Sequence, residues 1–262
     1  MALIIVGVVL IGIAVALWFN RKRQLNRSLN IKYYDTSKVV DVVDIYKQLR
    51  EGLGGNYRGN VVELSGSARS DSPLQAEHTG QAAVYYRARV IHEYETLEIV
   101  REQDEEGNYY EREVVVNHQE TVSDNERVTN FYLDDNSGEQ IRITLDGATK
   151  HTVTTLDEYQ PEPPSHYNAF GINGTTTGYR YIEEIIPLNS KLYVLGQAVE
   201  DSGELTVAKP SKDKDVEYIV STKSEEELIK GAESSAKMSL YGTIALAVIG
   251  VILIIVGATS KG

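Results

Sequence analysis

The sequence predicts a mainly β domain, an antiparallel barrel or sandwich with short helices, flanked by two transmembrane α-helices. Three observations carry that prediction. The chain is free of charge from Ala2 to Phe19 and again from Leu240 to Ala258. Between Asn60 and Ser221, short runs rich in Val, Ile, Tyr and Thr recur, separated by Gly, Asn, Asp and Pro clusters. The 262 residues contain no cysteine, so neither disulfides nor thiolate metal sites shape the fold.

A helix rises about 1.5 Å per residue and the hydrocarbon core of a bilayer is roughly 30 Å thick. Both uncharged runs therefore reach across, or nearly so. Trp18, Phe19 and Tyr241 are placed as interfacial anchors. A cleaved signal peptide needs a basic start and a small-residue cleavage site. The first run has no Lys or Arg before it and ends in Leu17-Trp18-Phe19-Asn20, so it reads as a retained anchor. The second run, as a buried core helix, would tolerate Tyr241, Thr243, Ala245, Ala247 and Gly250. Its terminal place and its Val251 to Val256 stretch favour a span.

The chain then divides into a span over 2–19, a juxtamembrane segment with an amphipathic helix over 20–59, a β-rich domain over 60–223, a capped linker helix over 224–239 and a second span over 240–258. Arg21, Lys22, Arg23 and Arg27 follow the first span, and Lys230 and Lys237 precede the second. By the positive-inside rule the central domain faces the cytoplasm in a two-span integral membrane protein. The cluster Arg21-Lys22-Arg23 either touches anionic membrane lipids or only sets topology, and the second is the favoured reading. The net charge is −12, which argues against nucleic acid as a partner.

After a short polar stretch, Gln24 to Asp35, a helix start is expected at Thr36-Ser37. Val39, Val40, Val42, Val43, Tyr46 and Leu49 follow at helical spacing, stopped at Gly52 to Gly55. Strands are expected at Val61 to Ala68, at Ala83 to about Arg101, and at Tyr109 to Thr121, the last two joined by the turn cluster Asp104 to Asn108. Phe131 to Leu133 and Gln140 to Leu145 flank a hairpin turn at Asp134 to Gly138. Strands resume at Tyr179 to Ile186, Lys191 to Val199, Glu204 to Ala208 and Tyr218 to Val220, and this size suits one hydrophobic core. Ser224-Glu225-Glu226-Glu227 fits a capping box that starts a helix running toward the second span.

Within this order stand Glu63-Leu64-Ser65-Gly66, Ser72-Pro73-Leu74, Ala83-Val84-Tyr85-Tyr86 and Phe131-Tyr132-Leu133-Asp134-Asp135 with Gly138. Tyr193 to Ala198 and Tyr218 to Ser224 follow. From Ser37 to Ala258 the chain resembles the GIDE family, whose shared module is the beside-a-membrane domain. The resemblance implies a membrane-flanked domain that binds or recognises partner proteins. The ligases of this family, in the mitochondrial outer membrane and in plastids, carry a zinc-binding RING after the second span. This chain has no cysteine to build one and is similar to RING-less bacterial and archaeal members, so ligase activity is not expected of it. In the mitochondrial ligases the domain faces the intermembrane space, whereas the flanking charges here point to the cytoplasm.

No catalytic residue, cofactor or metal site is expected. His78, His92, His118, His151 and His166 are widely spaced. His92 and His118 read as surface histidines on a solvated ribbon. The carboxylate runs are Asp104-Glu105-Glu106, Asp134-Asp135 and Glu183-Glu184; those in turns read as solvated, and Asp134 to Glu139 lacks the spacing of a calcium loop. The long irregular loop from Pro161 to Tyr179 is the candidate contact surface. Tyr159, Tyr167, Phe170 and Tyr179 either present an interface there or pack the loop onto the sheet. Three readings of function follow. One is a membrane-anchored, non-catalytic scaffold or adaptor for an unidentified protein partner. The second is a component of a ubiquitin-ligase pathway with the RING supplied in trans. The third is a lipid or envelope-stress sensor. Self-association into a homo-oligomer is compatible with each.

Overall fold

In the computed structural model, residues 2–53, 57–104, 107–164, 174–211 and 216–259 are described. Both apolar runs are helical, and both helices are long and apolar enough to cross a membrane. Helix α1 covers Ala2–Tyr33, α2 Val39–Leu53 and α3 Glu225–Thr259. The first helix does not stop at its polar flank, as the sequence reading had it. Arg21 to Lys32 is rich in helix formers, and α3 runs beside it. Asn20 Nδ2 donates to Ser239 Oγ at 3.2 Å, and Lys32 Nζ to Glu233 Oε1 at 2.6 Å. Deeper in the apolar runs, a Cβ on Gly7 would sit 2.6 Å from the Gly250 carbonyl, and one on Gly257 2.9 Å from Ile4 Cγ1. The contacts rise along one helix as they fall along the other, so α1 and α3 form an antiparallel pair. The expected capping box starts α3: the Ser224 amide donates to Glu227 Oε2 at 2.8 Å and the Glu227 amide to Ser224 Oγ at 3.3 Å.

The strands are β1 (Arg58–Arg69), β2 (Leu74–Gln75), β3 (Ala82–Gln103), β4 (Tyr109–Val128), β5 (Phe131–Asp134), β6 (Gln140–Ile143), β7 (Thr149–His151), β8 (Val153–Gln160), β9 (Thr175–Pro187), β10 (Lys191–Asp201), β11 (Glu204–Ala208) and β12 (Ile219–Ser221). They fall into two compact units rather than around the single core expected. The first unit comprises Met1–Gly66, Leu133–His151 and Lys191–Gly262. Its sheet runs β1-β5-β6-β11-β10-β12-β7, and an added pairing of β1 with β10 closes five strands into a ring. Besides β1, strand β10 pairs with β12 through Tyr193 to Leu195 and with β11 from Gln197 to Asp201. The change falls at Gly196, where a Cβ would meet the Tyr218 ring at 2.7 Å and Val207 at 2.8 Å. Two pairings, β11 with β6 and β12 with β7, are parallel, within a mainly β fold of the expected class. Ile31 of α1 and Leu228 of α3 lie in one buried cluster with Tyr193, Leu195, Val216 and Ile219, so the helices end inside the core of this unit.

The α2 amides are capped from a distant turn rather than by Thr36 or Ser37. Asp135 Oδ2 accepts from the Val39 amide at 2.9 Å, and Ser137 Oγ from the Val40 amide at 3.1 Å. Asn136 and Gly138 adopt positive φ of 62° and 107°, which gives this stretch the tight turn expected of it.

The second unit comprises Ser67–Tyr132 and Thr152–Ser190. Its sheet runs β2-β3-β9-β8, with β4 on the other edge of β3. A small cluster of Ala76, Ala83, Tyr86, Ala88 and Ile185 forms its buried centre.

Candidate functional site

Strand β3 is the spine of the second unit. It pairs with β9 from Ala83 to Glu95 and with β4 from Tyr85 to Gln103. Up to Glu95 it is covered on both edges; from Thr96 onward, among the described residues, only β4 pairs with it. The first stretch carries a column of rings. Tyr179 of β9 stacks on His92 at 4.8 Å, His92 on Tyr94 at 5.2 Å, and Tyr94 on His118 of β4 at 5.1 Å. His92 is fully buried, with Nε2 2.9 Å from Thr176 Oγ1, and is not the surface histidine expected. Its cover, Tyr179, is far away in sequence, so no local pattern announced the burial. His118 is half-buried and sits 2.7 Å from Thr96 Oγ1.

Beyond Glu95 the two-stranded ribbon presents apolar side chains to water. Leu97 lies opposite Val115, and Ile99 shares their face by strand alternation. They are 70%, 58% and 67% exposed. Tyr109, opposite Gln103, belongs to the same face, and the Arg101 guanidinium lies 4.7 Å from its ring centroid. The other face sets Val100, Val114 and Val116 among polar groups, with Arg112 2.7 Å from Glu102 and the Tyr110 hydroxyl donating to Glu102 at 2.8 Å. The exposure of Leu97, Ile99 and Val115 was missed in the sequence. Their alternation was legible, but not that β9 starts at Thr175, opposite Glu95.

The expected contact residues scatter. Tyr159 is exposed on β8, and its ring lies where a Cβ on Gly178 would fall. Tyr179 is buried in the ring column, while Tyr167 and Phe170 lie outside the described residues. Of the basic cluster on α1, Lys22 and Arg23 are exposed and Arg21 is half-buried.

The buried carboxylates are consumed by structure. Glu183 accepts from the His78 amide at 2.6 Å, from Thr79 Oγ1 at 2.5 Å and from Thr155 Oγ1 at 3.1 Å. Burial pushes its pKa up, but these hydrogen bonds together outweigh burial and hold the carboxyl below its usual range. Among the described residues no group of three or more His, Asp or Glu side chains is placed to hold a metal ion.

Residues 100–256, which take in strands β4 to β12 and most of α3, match the family model described as GIDE, E3 ubiquitin ligase. The chain belongs to the GIDE family. This GIDE chain is similar to the E3 ubiquitin-protein ligase SP1 of Arabidopsis thaliana, with 24% identity over 232 residues. The match covers 83% of this chain and 62% of that protein, so the GIDE chain spans less than two thirds of its relative's length. No solved structure matches it.

Proposed function

We propose that this GIDE protein is a membrane-anchored, non-catalytic interaction module, held by α1 and α3 in a bilayer, that docks a protein partner on the β3–β4 ribbon. The observation that carries the reading is the exposure of Leu97, Ile99, Val115 and Tyr109 along one face of the ribbon, apolar side chains that the described residues leave uncovered. Flanking charges favour a cytoplasmic face for the domain. Chemical labelling of Asp71→Cys with a membrane-impermeant maleimide reads that sidedness directly, because the chain has no cysteine of its own. A photo-crosslinking residue at Ile99 in intact membranes, followed by mass spectrometry, tests the docking. A discrete partner that is lost on Leu97→Asp supports it. Adducts with lipid or with other copies of the chain alone count against it and favour self-assembly.

A second reading is favoured by the family match: a component of a ubiquitin-transfer pathway whose RING is supplied by another chain or segment. These 262 residues supply no thiolate for zinc. The test is discharge of a ubiquitin-charged E2 by a RING protein with and without this chain. An unchanged rate rules the reading out.

A further inference from the structure

Beside the base of α1 lies a cavity of about 1020 Å³. One wall is a single helical face carrying Ala16, Phe19, Arg23 and Arg27 at three- and four-residue steps, with Lys22 at its margin. The facing wall carries Lys209 and Glu217. The cavity therefore begins in the apolar run and ends among cations.

The charges in it are unequal in their freedom. Arg27 Nε donates to Glu217 Oε2 at 2.8 Å, and its Nη2 lies 2.8 Å from His151 Nε2. A guanidinium only donates, so the imidazole is neutral with its hydrogen on Nδ1. Burial, and then the Arg27 charge, hold His151 below its ordinary pKa. Thr149 Oγ1 donates to Glu217 Oε1 at 2.5 Å, so that carboxylate is fully engaged. Lys22, Arg23 and Lys209 have no carboxylate partner among the described residues. The Lys209 stem lies across Gly147, whose φ is +70° and where a Cβ would come within 2.8 Å of Lys209 Cδ. In a chain of net charge −12, three cations without a carboxylate partner among the described residues thus line one cavity. Like charges at such a site repel, and an anion between them removes that cost.

We propose that this cavity binds the phosphate of an anionic phospholipid headgroup. Lys22, Arg23 and Lys209 face the phosphate, and Phe19 and Ala16 lie against the start of an acyl chain. The proposal rests on α1 crossing a bilayer, and it is independent of any protein docking on the ribbon.

The test uses the full chain. Alkaline carbonate extraction of membranes comes first; release of the protein removes the spanning reading and this site with it. Retained protein is reconstituted in nanodiscs of phosphatidylcholine and phosphatidylglycerol. Native mass spectrometry then reads the phosphatidylglycerol that stays bound. Wild type and Arg21→Gln, whose cation does not line the cavity, are expected to retain it equally. Arg23→Gln is expected to lose roughly five-fold in retention, the weight of one cation at a charged membrane surface. Lys209→Glu loses more. Arg23 is exposed on α1, so its replacement leaves the core of the unit intact. Equal retention in all four proteins, or equal loss in Arg21→Gln, overturns the site in favour of a diffuse surface attraction. Glycerol 3-phosphate and inorganic phosphate, titrated against the detergent-solubilised chain, separate the two sources of phosphate. Displacement of phosphatidylglycerol by either at low concentration overturns the lipid assignment.

Discussion

Tyr193 donates its phenolic hydrogen to Glu63 Oε2 at 2.8 Å, and Thr36 Oγ1 donates to the other carboxylate oxygen at 2.6 Å. The pair ties β10 to β1 and fixes the chain entering α2. Glu63 is fully buried, and burial lifts its carboxyl above the ordinary range, with the two hydrogen bonds only partly opposing. The folded state thus holds this proton more tightly than the unfolded chain. The stability linked to it is full below the ordinary carboxylic value and lost as pH rises through the raised one. Urea unfolding of the detergent-solubilised chain across mildly acidic pH is expected to show that decline in wild type and a flatter profile in Glu63→Gln. Tyr193→Phe is expected to cost about 1–3 kcal/mol by leaving a buried oxygen unpaired.

Glu183 behaves in the opposite sense. Its folded pKa is lowered, so its contribution is present above the ordinary carboxylic value and disappears as pH falls through the lowered one. Glu183→Gln places an amide against donors from His78, Thr79 and Thr155. The expected loss is about 1.5–3 kcal/mol at neutral pH. Hydrogen exchange at the amides of His78 and Thr79, which the carboxylate now holds, checks it.

The close passage of α1 and α3 at Gly7 and Gly250 leaves no room for a side chain. Gly250→Leu is expected to separate the helices at that level, at a cost of about 1–3 kcal/mol. A cysteine pair at Leu17→Cys and Gly242→Cys reports it, since a Cβ on Gly242 falls 3.1 Å from Leu17 Cδ1. Oxidation is expected to cross-link the pair readily in the otherwise native chain and poorly when Gly250→Leu is added.

Asp135 supplies the cap of α2 from the β5–β6 turn. Asp135→Ala is expected to destabilise by about 0.5–2 kcal/mol, the usual weight of an N-cap. Faster hydrogen exchange at the first turn of α2, with the α3 amides unchanged, distinguishes loss of the cap from general unfolding.

Most strands were legible because Val, Ile and Tyr alternate along them, and the α3 start was legible because Ser224 and Glu227 are near neighbours. What escaped was whatever depends on partners distant in sequence. Strand β7 and most of β8 are short or polar, Thr149 to His151 and Val153 to Gln160, and gain their hydrogen bonds from β12 and β9. The helical run from Arg21 to Lys32 looked like a linker because its stabilising contacts come from α3. Of the candidate contact residues, Tyr159 is at the surface as one reading allowed, whereas Tyr179 went to the ring column with His92. The cationic cavity was half legible: Lys22 and Arg23 stood out, but Lys209 joins them only through the turn at Gly147.

Because Ile31 and Leu228 close the same core that holds Tyr193, no hinge separates the apolar parts of α1 and α3 from the barrel strands. In a bilayer, a change of hydrocarbon thickness is met by tilting such a pair. Were α1 and α3 to cross a bilayer as stiff struts rooted in the core, tilt below would become rotation above, and hydrocarbon thickness would set the angle at which the barrel strands stand.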